Sequence, residues 1–256
     1  MQIVSLTTDF GTRDYYVAEL KGILLTKNSQ FNIVDISHEV NAYDIVQGAF
    51  FLKNVIGQFP AGSIHIVAVN NNYHRHSEYV CFKKNDQYFI GPNNGLFTLL
   101  FDQLQPAEVF RISPEQDSSL HYYELYAYAT DYISRGLPIE NIGPSVVETN
   151  EKLELRPVVT TNQIRATIIH IDVFNNVIIN LRKDQFEKVR AGRSFELYYK
   201  QRDPITTLNN TYSDVAVGET VIFFNTAGFL EIAVNLGNAS TTFNLNRNET
   251  IQINFL

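Results

Sequence analysis

The first 25 residues contain the pattern that most limits the fold. Residues 3–6 (IVSL) form a short apolar run of the kind that a parallel sheet buries on both faces, and the acidic loop TTDFGTRD follows directly. Asp9 and Asp14 therefore come at the strand end where open α/β sheets bind ligands, although a simple helix cap would also explain Asp9. Beyond the loop, apolar residues share one helical face, which predicts a helix packed on the sheet: Val17, Leu20, Leu24 and Leu25.

The pattern of segments changes once along the chain. Strand-like and helix-like segments alternate up to about residue 145, which predicts a mainly parallel sheet. After residue 164 the segments are short, turn-bounded and strand-like, as in an antiparallel barrel or sandwich. The sequence therefore predicts an α/β domain at 1–150 and a smaller all-β, barrel-like domain at 164–256, with a linker at 151–163. The predicted helices of the first domain beyond residue 25 are 43–59, 96–104 and 120–135, and its later strands are 31–36, 63–69, 78–83 and 87–90.

Composition and charge exclude several classes of protein. The 256 residues carry a formal net charge of −7 and no Lys/Arg run, so we expect no nucleic-acid partner. Cys81 is the single cysteine, which excludes an internal disulfide and a multi-cysteine zinc site. No signal-like segment opens the chain and no apolar run is long enough to span a bilayer, so we expect a cytoplasmic protein without a membrane partner. Glycine-rich phosphate loops, hydrolase elbows and zinc-protease motifs are absent from the sequence.

Polar residues gather in two further stretches. The first, VNNNYHRHSE at 69–78, follows the third predicted strand and contains His74 and His76. Two imidazoles without a carboxylate cluster are more typical of a solvated loop than of a metal site, so we predict no metal. The second, residues 172–176, breaks two strands and is explained equally well by ligand binding or by a hairpin turn. His121 opens a tyrosine-rich helix, where it is a candidate catalyst or a simple cap.

Several segments, taken in order, carry a family resemblance. They are TDFGTRDYYVAELKG, DISHEV with Tyr43 five residues beyond its His, PNNGL, DVFNN, TYSDV, and LEIAVN with a following NA. Together they resemble the S-adenosylmethionine (SAM) hydroxide adenosyltransferase family, hydrolases related to the bacterial fluorinase and chlorinase, over nearly the whole chain.

The resemblance implies a fold, an assembly and a ligand site. It implies an N-terminal α/β domain, a C-terminal β-barrel, and a homotrimer whose site lies between one subunit's N-domain and its neighbour's C-domain. Asp9 would hold the ribose hydroxyls, and Asp14 with Asp172 would hold the methionine ammonium. Other ligand-contacting residues are expected to wall the adenine or sugar or to read the adenine edge: Tyr43, Tyr73, Tyr122, Phe174, Asn176, Tyr212, Asn238 and Ala239.

The water-orienting residues depart from the family pattern. The family's hydrolases use an Asp in D-P-G-V-G, an Arg seven residues later and a His in F-H-G-R-D. Here Asn70 and Ser77 stand at the Asp and Arg positions, whereas His121 is retained and Arg75, two residues early, is the candidate substitute. An Asn can neither take a proton nor carry charge, so the inherited arrangement should be weakened.

The predicted activity follows from this comparison. We expect a SAM-binding protein without metal or other cofactor, which hydrolyses SAM to adenosine and L-methionine by attack of water at C5′. The predicted catalytic residues are His121, Asn70 and Arg75. Tyr73 and Tyr122 replace the small residues that hold halide, so halogenation is not expected. A catalytically silent sensor for SAM or adenosine, or a trimeric scaffold with a filled pocket, is the alternative.

Overall fold

The computed structural model describes residues 1–101, 103–114, 120–150, 156–200 and 203–256. The chain forms two compact units, Met1–Leu153 and Glu154–Leu256. In the described parts of the chain, no helix is both long and apolar enough to cross a membrane.

The N-terminal unit is built on one six-stranded sheet. Its strands run in the order β2-β1-β3-β5-β4-β6, in which β2, β1, β3 and β5 pair in parallel while β4 pairs antiparallel with β5 and β6. This arrangement confirms the predicted mainly parallel sheet. The strands are β1 (Ile3–Thr8), β2 (Asn32–Ser37), β3 (Ile64–Ala68), β4 (Tyr79–Lys84), β5 (Gln87–Pro92) and β6 (Phe110–Arg111), and the helices are α1 (Tyr16–Lys27), α2 (Ile45–Lys53), α3 (Leu96–Leu100) and α4 (Tyr122–Ser134). Short 3-10 helices lie at Ile56–Gln58, Pro106–Glu108 and Ile139–Asn141.

Two apolar cores cover the two faces of this sheet. Successive residues of a strand point to opposite faces, so Ile66 of β3 packs into the core formed with α1 and α4, and Val67 packs into the core formed with α2 and α3. β1 and β3 are buried almost throughout, as a central parallel strand requires. The predicted apolar stripe of α1 is correct at Leu20 and Leu24, but Leu25 is 42% exposed.

Two predicted helices are shorter in the structure than in the sequence analysis. α2 ends at Lys53 because the Asn54 side chain donates to the carbonyl of Phe50 and the chain then tightens into the 3-10 turn. α3 ends at Leu100, since Phe101 is extended and packs its ring edge-on against Phe89. Local apolar spacing continues through both ends, so the periodicity alone could not place them.

The C-terminal unit is built on antiparallel strands in the order β10-β13-β8-β9-β12-β11, with β7 paired to β8. Its β architecture agrees with the prediction, and barrel-like closure stays a prediction. The elements are β7 (Val158–Val159), β8 (Gln163–Ile171), β9 (Val177–Arg182), α5 (Lys183–Arg190), β10 (Phe195–Tyr198), a 3-10 helix (Tyr212–Asp214), β11 (Thr220–Phe224), β12 (Phe229–Val234), α6 (Ala239–Phe243) and β13 (Thr250–Phe255). The helices α5 and α6 were not predicted from the sequence. Of the predicted linker at 151–163, residues 151–155 lie outside the described residues, and β7 and the start of β8 fall in the remainder.

Gly91 of β5 occupies a site without room for a side chain. A Cβ atom there would lie 2.6 Å from the carbonyl oxygen of Val67 and 2.9 Å from Cζ of Phe97. We expect Gly91→Ala to lower the free energy of unfolding by about 1–3 kcal/mol, measured by urea denaturation. Gly22→Ala in α1 is the matched control, because its Cβ would meet open space, and it should raise stability by about 0.5–1 kcal/mol. Equal effects of the two changes would contradict this packing.

His65 predicts a specific acid sensitivity of the N-terminal unit. It is fully buried in β3, with Nδ1 2.6 Å from Ser5 Oγ and its ring stacked on Phe89. Burial lowers the pKa of His65 to about 4 from 6.5. The unfolded chain therefore takes up this proton near pH 6.5 and the folded chain only near pH 4, so stability contributed above pH 6.5 is lost as the pH falls towards 4.

We expect this loss to be on the order of 3 kcal/mol between neutral pH and pH 4. It should be missing from His65→Gln, which cannot titrate. Urea denaturation of both proteins across this pH range measures the difference, and parallel pH curves would refute the assignment.

Candidate functional site

The carboxyl ends of three neighbouring parallel strands meet at one edge of the N-terminal sheet. Asp9 follows β1, Tyr43 lies in the segment after β2, and Asn70 follows β3. Because β1 lies between β2 and β3, Asp9 reaches both neighbouring loops. Its Oδ2 accepts hydrogen bonds from the backbone N–H groups of Tyr43, at 2.9 Å, and Asn70, at 3.0 Å. The structure thus brings together three predicted site residues.

These hydrogen bonds hold two unusual backbone conformations. Tyr43 has φ +67° and Asn70 has φ +51°, the left-handed region that residues other than glycine rarely adopt. The Tyr43 side chain has 74% of its surface exposed. Asp9 Oδ1 accepts no hydrogen bond from the described part of the chain, which leaves it open for a hydroxyl or ammonium donor.

Asp14 differs from Asp9 in its surroundings. It is exposed in the loop before α1 and makes no hydrogen bond or ion pair with any described residue. Its carboxylate is therefore available for a cationic ligand group and contributes no contact to the fold.

Tyrosines occupy the space beside the Asp9 edge. Tyr122 packs against Tyr79 and Tyr126, with ring centroids 5.9 Å apart in both pairs, and Tyr123 is almost fully buried. Burial raises the pKa of Tyr122, and the Asp9 carboxylate raises it further. Burial also raises the pKa of Tyr79 to about 12. The cluster is therefore neutral and acts as an aromatic wall rather than as an acid–base group.

His121 stands at the start of α4 with an exposed side chain. Its backbone N–H donates to the Glu124 carboxylate at 3.0 Å, and its ring lies 4.1 Å from that of Tyr122, centroid to centroid. The imidazole is accessible to solvent, and its ring packs against Tyr122 and Tyr123 of the tyrosine cluster.

The loop after β3 brings Arg75 to the surface. Tyr73 is half-buried, and its hydroxyl accepts from the backbone N–H of Glu78 at 3.3 Å. Ser77 Oγ accepts a hydrogen bond from the backbone N–H of His74 and donates one to the His74 carbonyl, so this side chain closes the loop. Arg75 is exposed and makes no ion pair with the described residues. Within the described ranges, no group of three His, Cys, Asp or Glu side chains is arranged to hold a metal ion.

A second polar group lies in the C-terminal unit, at the turn between β8 and β9. Asp172 Oδ1 accepts from the backbone N–H groups of Phe174, at 2.9 Å, and Asn176, at 2.8 Å, while Oδ2 accepts from Asn176 Nδ2 at 3.0 Å. These hydrogen bonds stabilise the turn, as expected if residues 172–176 form a hairpin connection. The Phe174 side chain is 70% exposed, whereas Asn176 is buried.

This turn forms one side of a cavity of about 490 Å³. Asn176, Phe174 and Tyr212 line it, as does the segment 234–238. Asn238 is exposed and precedes α6, of which Ala239 is the first, buried residue. Four of the six predicted residues of this unit line this cavity, namely Phe174, Asn176, Tyr212 and Asn238, whereas Asp172 and Ala239 do not. Its exposed apolar lining residues are Val173, Phe174 and Leu236.

Comparison with known proteins identifies the family. A family model described as the SAM hydroxide adenosyltransferase N-terminal domain matches residues 4–143, and the model of the C-terminal domain matches residues 166–252. The chain belongs to the SAM hydroxide adenosyltransferase family.

The sequence similarity to individual relatives extends over nearly the full length of the chain. The chain is 28% identical to a protein of Methanocaldococcus jannaschii named (R)-S-adenosyl-L-methionine hydrolase, over 99% of this chain and 96% of that protein. It is 22% identical to a protein of Actinoplanes sp. named fluorinase, over 98% of this chain and 97% of that one. A crystal structure of a conserved protein from Thermotoga maritima superimposes with a TM-score of 0.86 at 28% identity, covering 98% of this chain and 99% of that one.

Two motifs of this SAM hydroxide adenosyltransferase family member stabilise the loops at the carboxyl edge of the N-terminal sheet. In DISHEV, the buried His38 bridges Thr8 Oγ1, 2.9 Å from Nδ1, and Asp35 Oδ1, 3.1 Å from Nε2. In PNNGL, the Asn94 amide donates to the carbonyls of Val69, at 2.9 Å, and Asn70, at 3.2 Å. Both motifs fix the loops that Asp9 joins and contribute no exposed ligand group.

Glu231 of β12 was not among the predicted site residues, although it contacts Tyr212, which was. It is 3% exposed, and its Oε1 accepts from the Tyr212 hydroxyl at 2.6 Å while Oε2 accepts from Asn225 Nδ2 at 3.1 Å. Burial raises the pKa of Glu231, and the two hydrogen bonds oppose that shift. The only available signal was a charged residue within the apolar strand sequence FLEIAV.

The two N-terminal aspartates should differ in their effect on stability. Asp9→Ala leaves the backbone N–H groups of Tyr43 and Asn70 without their acceptor, so we expect the free energy of unfolding to fall by about 1–3 kcal/mol. Asp14→Ala removes an exposed carboxylate without fold contacts and should change it by less than about 0.5 kcal/mol. Urea denaturation of both variants tests the distinction, and a larger loss for Asp14→Ala would contradict the geometry.

Proposed function

We propose that this protein binds SAM and hydrolyses it to adenosine and L-methionine by attack of water at C5′. The observation that carries the proposal is the similarity, over 99% of this chain, to a protein named (R)-S-adenosyl-L-methionine hydrolase. The carboxylates of Asp9 and Asp172, which lie in loops at strand ends, support it. SAM presents the matching donors: two ribose hydroxyls, an ammonium group and an adenine amine.

The proposed ligand contacts follow the open acceptor atoms. Asp9 Oδ1 accepts from the ribose hydroxyls, because its other oxygen is already used by the loops. Asp14 and Asp172 hold the methionine ammonium. Asn176 and the backbone at Asn238 and Ala239 contact the adenine edge, and the aromatic walls are Tyr43, Tyr73, Tyr122, Phe174 and Tyr212.

The chemistry needs positioning more than activation. The water oxygen forms a bond to C5′ as the C5′–S bond breaks, the sulfonium becomes a neutral thioether, and one proton is released. Since the leaving group is already activated, orientation and exclusion of bulk water supply most of the effect, and no cofactor is required. Among the predicted catalytic residues, His121 has the side chain that can act as a proton acceptor, while Asn70 and Arg75 orient the attacking water.

We place this site in a homotrimer, between the N-terminal unit of one subunit and the C-terminal unit of its neighbour. Exposed apolar side chains support an interface: Phe174 is 70% exposed and Leu236 is 87% exposed at the rim of the C-terminal cavity, and Tyr43 is 74% exposed at the N-terminal edge. Apolar groups gathered around a cavity are typical of a surface that a partner covers.

The test is direct assay of SAM turnover by the purified full-length protein, with adenosine and methionine separated by chromatography. We expect stoichiometric formation of both, and we expect His121→Ala to lower kcat by about 100-fold, the usual effect of removing a general base. His76→Ala is the matched control, since His76 is exposed in the loop after β3 and has no assigned role.

The outcomes separate the alternatives. SAM or adenosine that raises the melting temperature without product formation would identify a binding sensor. Failure of both ligands to raise it would refute the proposed function and favour a scaffold whose tyrosine wall fills the site.

A further inference from the structure

A buried histidine contacts the residue that precedes Asp9. His38 follows β2 and is 6% exposed. Its Nδ1 lies 2.9 Å from Oγ1 of Thr8, the fully buried last residue of β1, and its Nε2 lies 3.1 Å from Asp35 Oδ1. The imidazole therefore connects the end of β1 to a carboxylate on β2.

The partners of the imidazole set the direction of its hydrogen bonds. Partial burial acts to raise the pKa of Asp35, but hydrogen bonds from Lys21 and His38 lower it. The resulting carboxylate only accepts, so it places the ring hydrogen on Nε2 and leaves Nδ1 of the neutral ring to accept from the Thr8 hydroxyl. The Thr8 oxygen is in turn an acceptor, and the backbone N–H of Phe10 donates to it at 3.4 Å.

Asp9 lies between the two residues at the end of this hydrogen-bonded chain. Thr8 precedes it and Phe10 follows it, and the backbone N–H of Gly11 donates to the carbonyl of His38 at 2.7 Å. His38 thus holds the chain on both sides of Asp9, through its side chain and through its backbone. A shift of about 1 Å in such a loop is enough to misplace a ligand-binding atom. The position of Asp9 Oδ1 therefore depends on His38.

We propose that His38, held by Asp35, is a positioning residue that fixes the Asp9 loop through Thr8, so that Asp9 Oδ1 meets the ribose hydroxyls of the ligand. The inference deepens the proposed function and rests on it, because it takes Asp9 as the acceptor for those hydroxyls. The buried imidazole acts on the ligand only through Asp9. The property that it controls is the preference for a nucleoside with ribose hydroxyls over one without them.

The experiment compares adenosine with 2′,3′-dideoxyadenosine, which has the same base and lacks both ribose hydroxyls. Titration calorimetry measures the affinity of each nucleoside for the purified full-length protein. We expect wild type to bind adenosine about tenfold or more tightly, because the dideoxy nucleoside brings no donor to the Asp9 carboxylate. The ratio of the two affinities reports the contact between Asp9 and the ribose.

Thr8→Val and Thr8→Ser form a matched pair. Val removes the hydroxyl at nearly constant volume, so His38 Nδ1 loses its donor, Phe10 N–H loses its acceptor, and the ratio should fall towards one. Ser keeps the hydroxyl, so the ratio should stay close to that of wild type. Ser5→Ala controls for the loss of a buried hydroxyl in β1, because Ser5 Oγ lies 2.6 Å from the buried imidazole of His65, and it should leave the ratio unchanged.

A second pair provides the test if Thr8→Val does not fold. His38→Asn keeps an acceptor near the Nδ1 position, whereas His38→Gln extends towards Asp35 and leaves the Thr8 hydroxyl without its acceptor. The ratio should fall further in His38→Gln than in His38→Asn. Urea denaturation of every variant measures stability separately, since a merely structural role would weaken the fold and both affinities together without changing their ratio.

Two results would overturn the inference and leave the proposed function standing if wild type turns over SAM. One is an unchanged ratio in the folded variants Thr8→Val and His38→Gln, and the other is an equal fall in Thr8→Ser or Ser5→Ala. A wild-type ratio near one would refute Asp9 as the ribose acceptor and the inference with it, while SAM turnover still decides the function. Wild-type protein that neither binds these nucleosides nor turns over SAM would refute both.

Discussion

The carboxyl edge of the N-terminal sheet depends on the hydrogen bonds that the Asp9 carboxylate accepts. One of its oxygens accepts from backbone groups in the loops after β2 and β3, and both of those residues, Tyr43 and Asn70, lie in the left-handed region. Such conformations persist only where surrounding contacts hold them. The second oxygen accepts no hydrogen bond from the described residues, so the same side chain holds the edge together and keeps one acceptor atom unpaired there.

Asp172 has a corresponding role in the C-terminal unit, where it stabilises the turn between β8 and β9. Its carboxylate accepts from three N–H groups of its own turn and thereby orients the Asn176 amide. An amide has a donor end and an acceptor end, so orienting it decides the chemistry that the cavity offers. In both units an aspartate organises a loop through hydrogen bonds from backbone N–H groups, and the orientation of the neighbouring polar atoms follows from that organisation.

Two of the departures from the family pattern, Asn70 and Tyr122, lie near the Asp9 carboxylate. An Asn suits the left-handed conformation at position 70 better than most residues, and its backbone N–H provides the contact to Asp9. The geometry of the edge is therefore compatible with an uncharged side chain at position 70.

Much of the fold was predictable from local pattern. Apolar runs and helical stripes predicted β1, β3 and α1 because burial on a sheet imposes periodicities of two and 3.6 residues on the sequence. Helix ends were predicted less well, since the end of α2 depends on an Asn54 side-chain contact and the end of α3 on the packing of Phe101. α5 was missed because only Phe186 of its eight residues is buried, which leaves almost no apolar stripe.

The sequence by itself determined the order of strands and helices, the residue types at the strand ends and the family resemblance. Only the tertiary structure decided which of those residues meet. Asp9 contacts a residue 61 positions away because β1 and β3 are neighbours in the sheet, and Tyr212 donates to Glu231 across 19 positions. The direction of a hydrogen bond depends on what every neighbouring donor and acceptor already does. That information lies in long-range contacts, so a one-dimensional pattern cannot contain it.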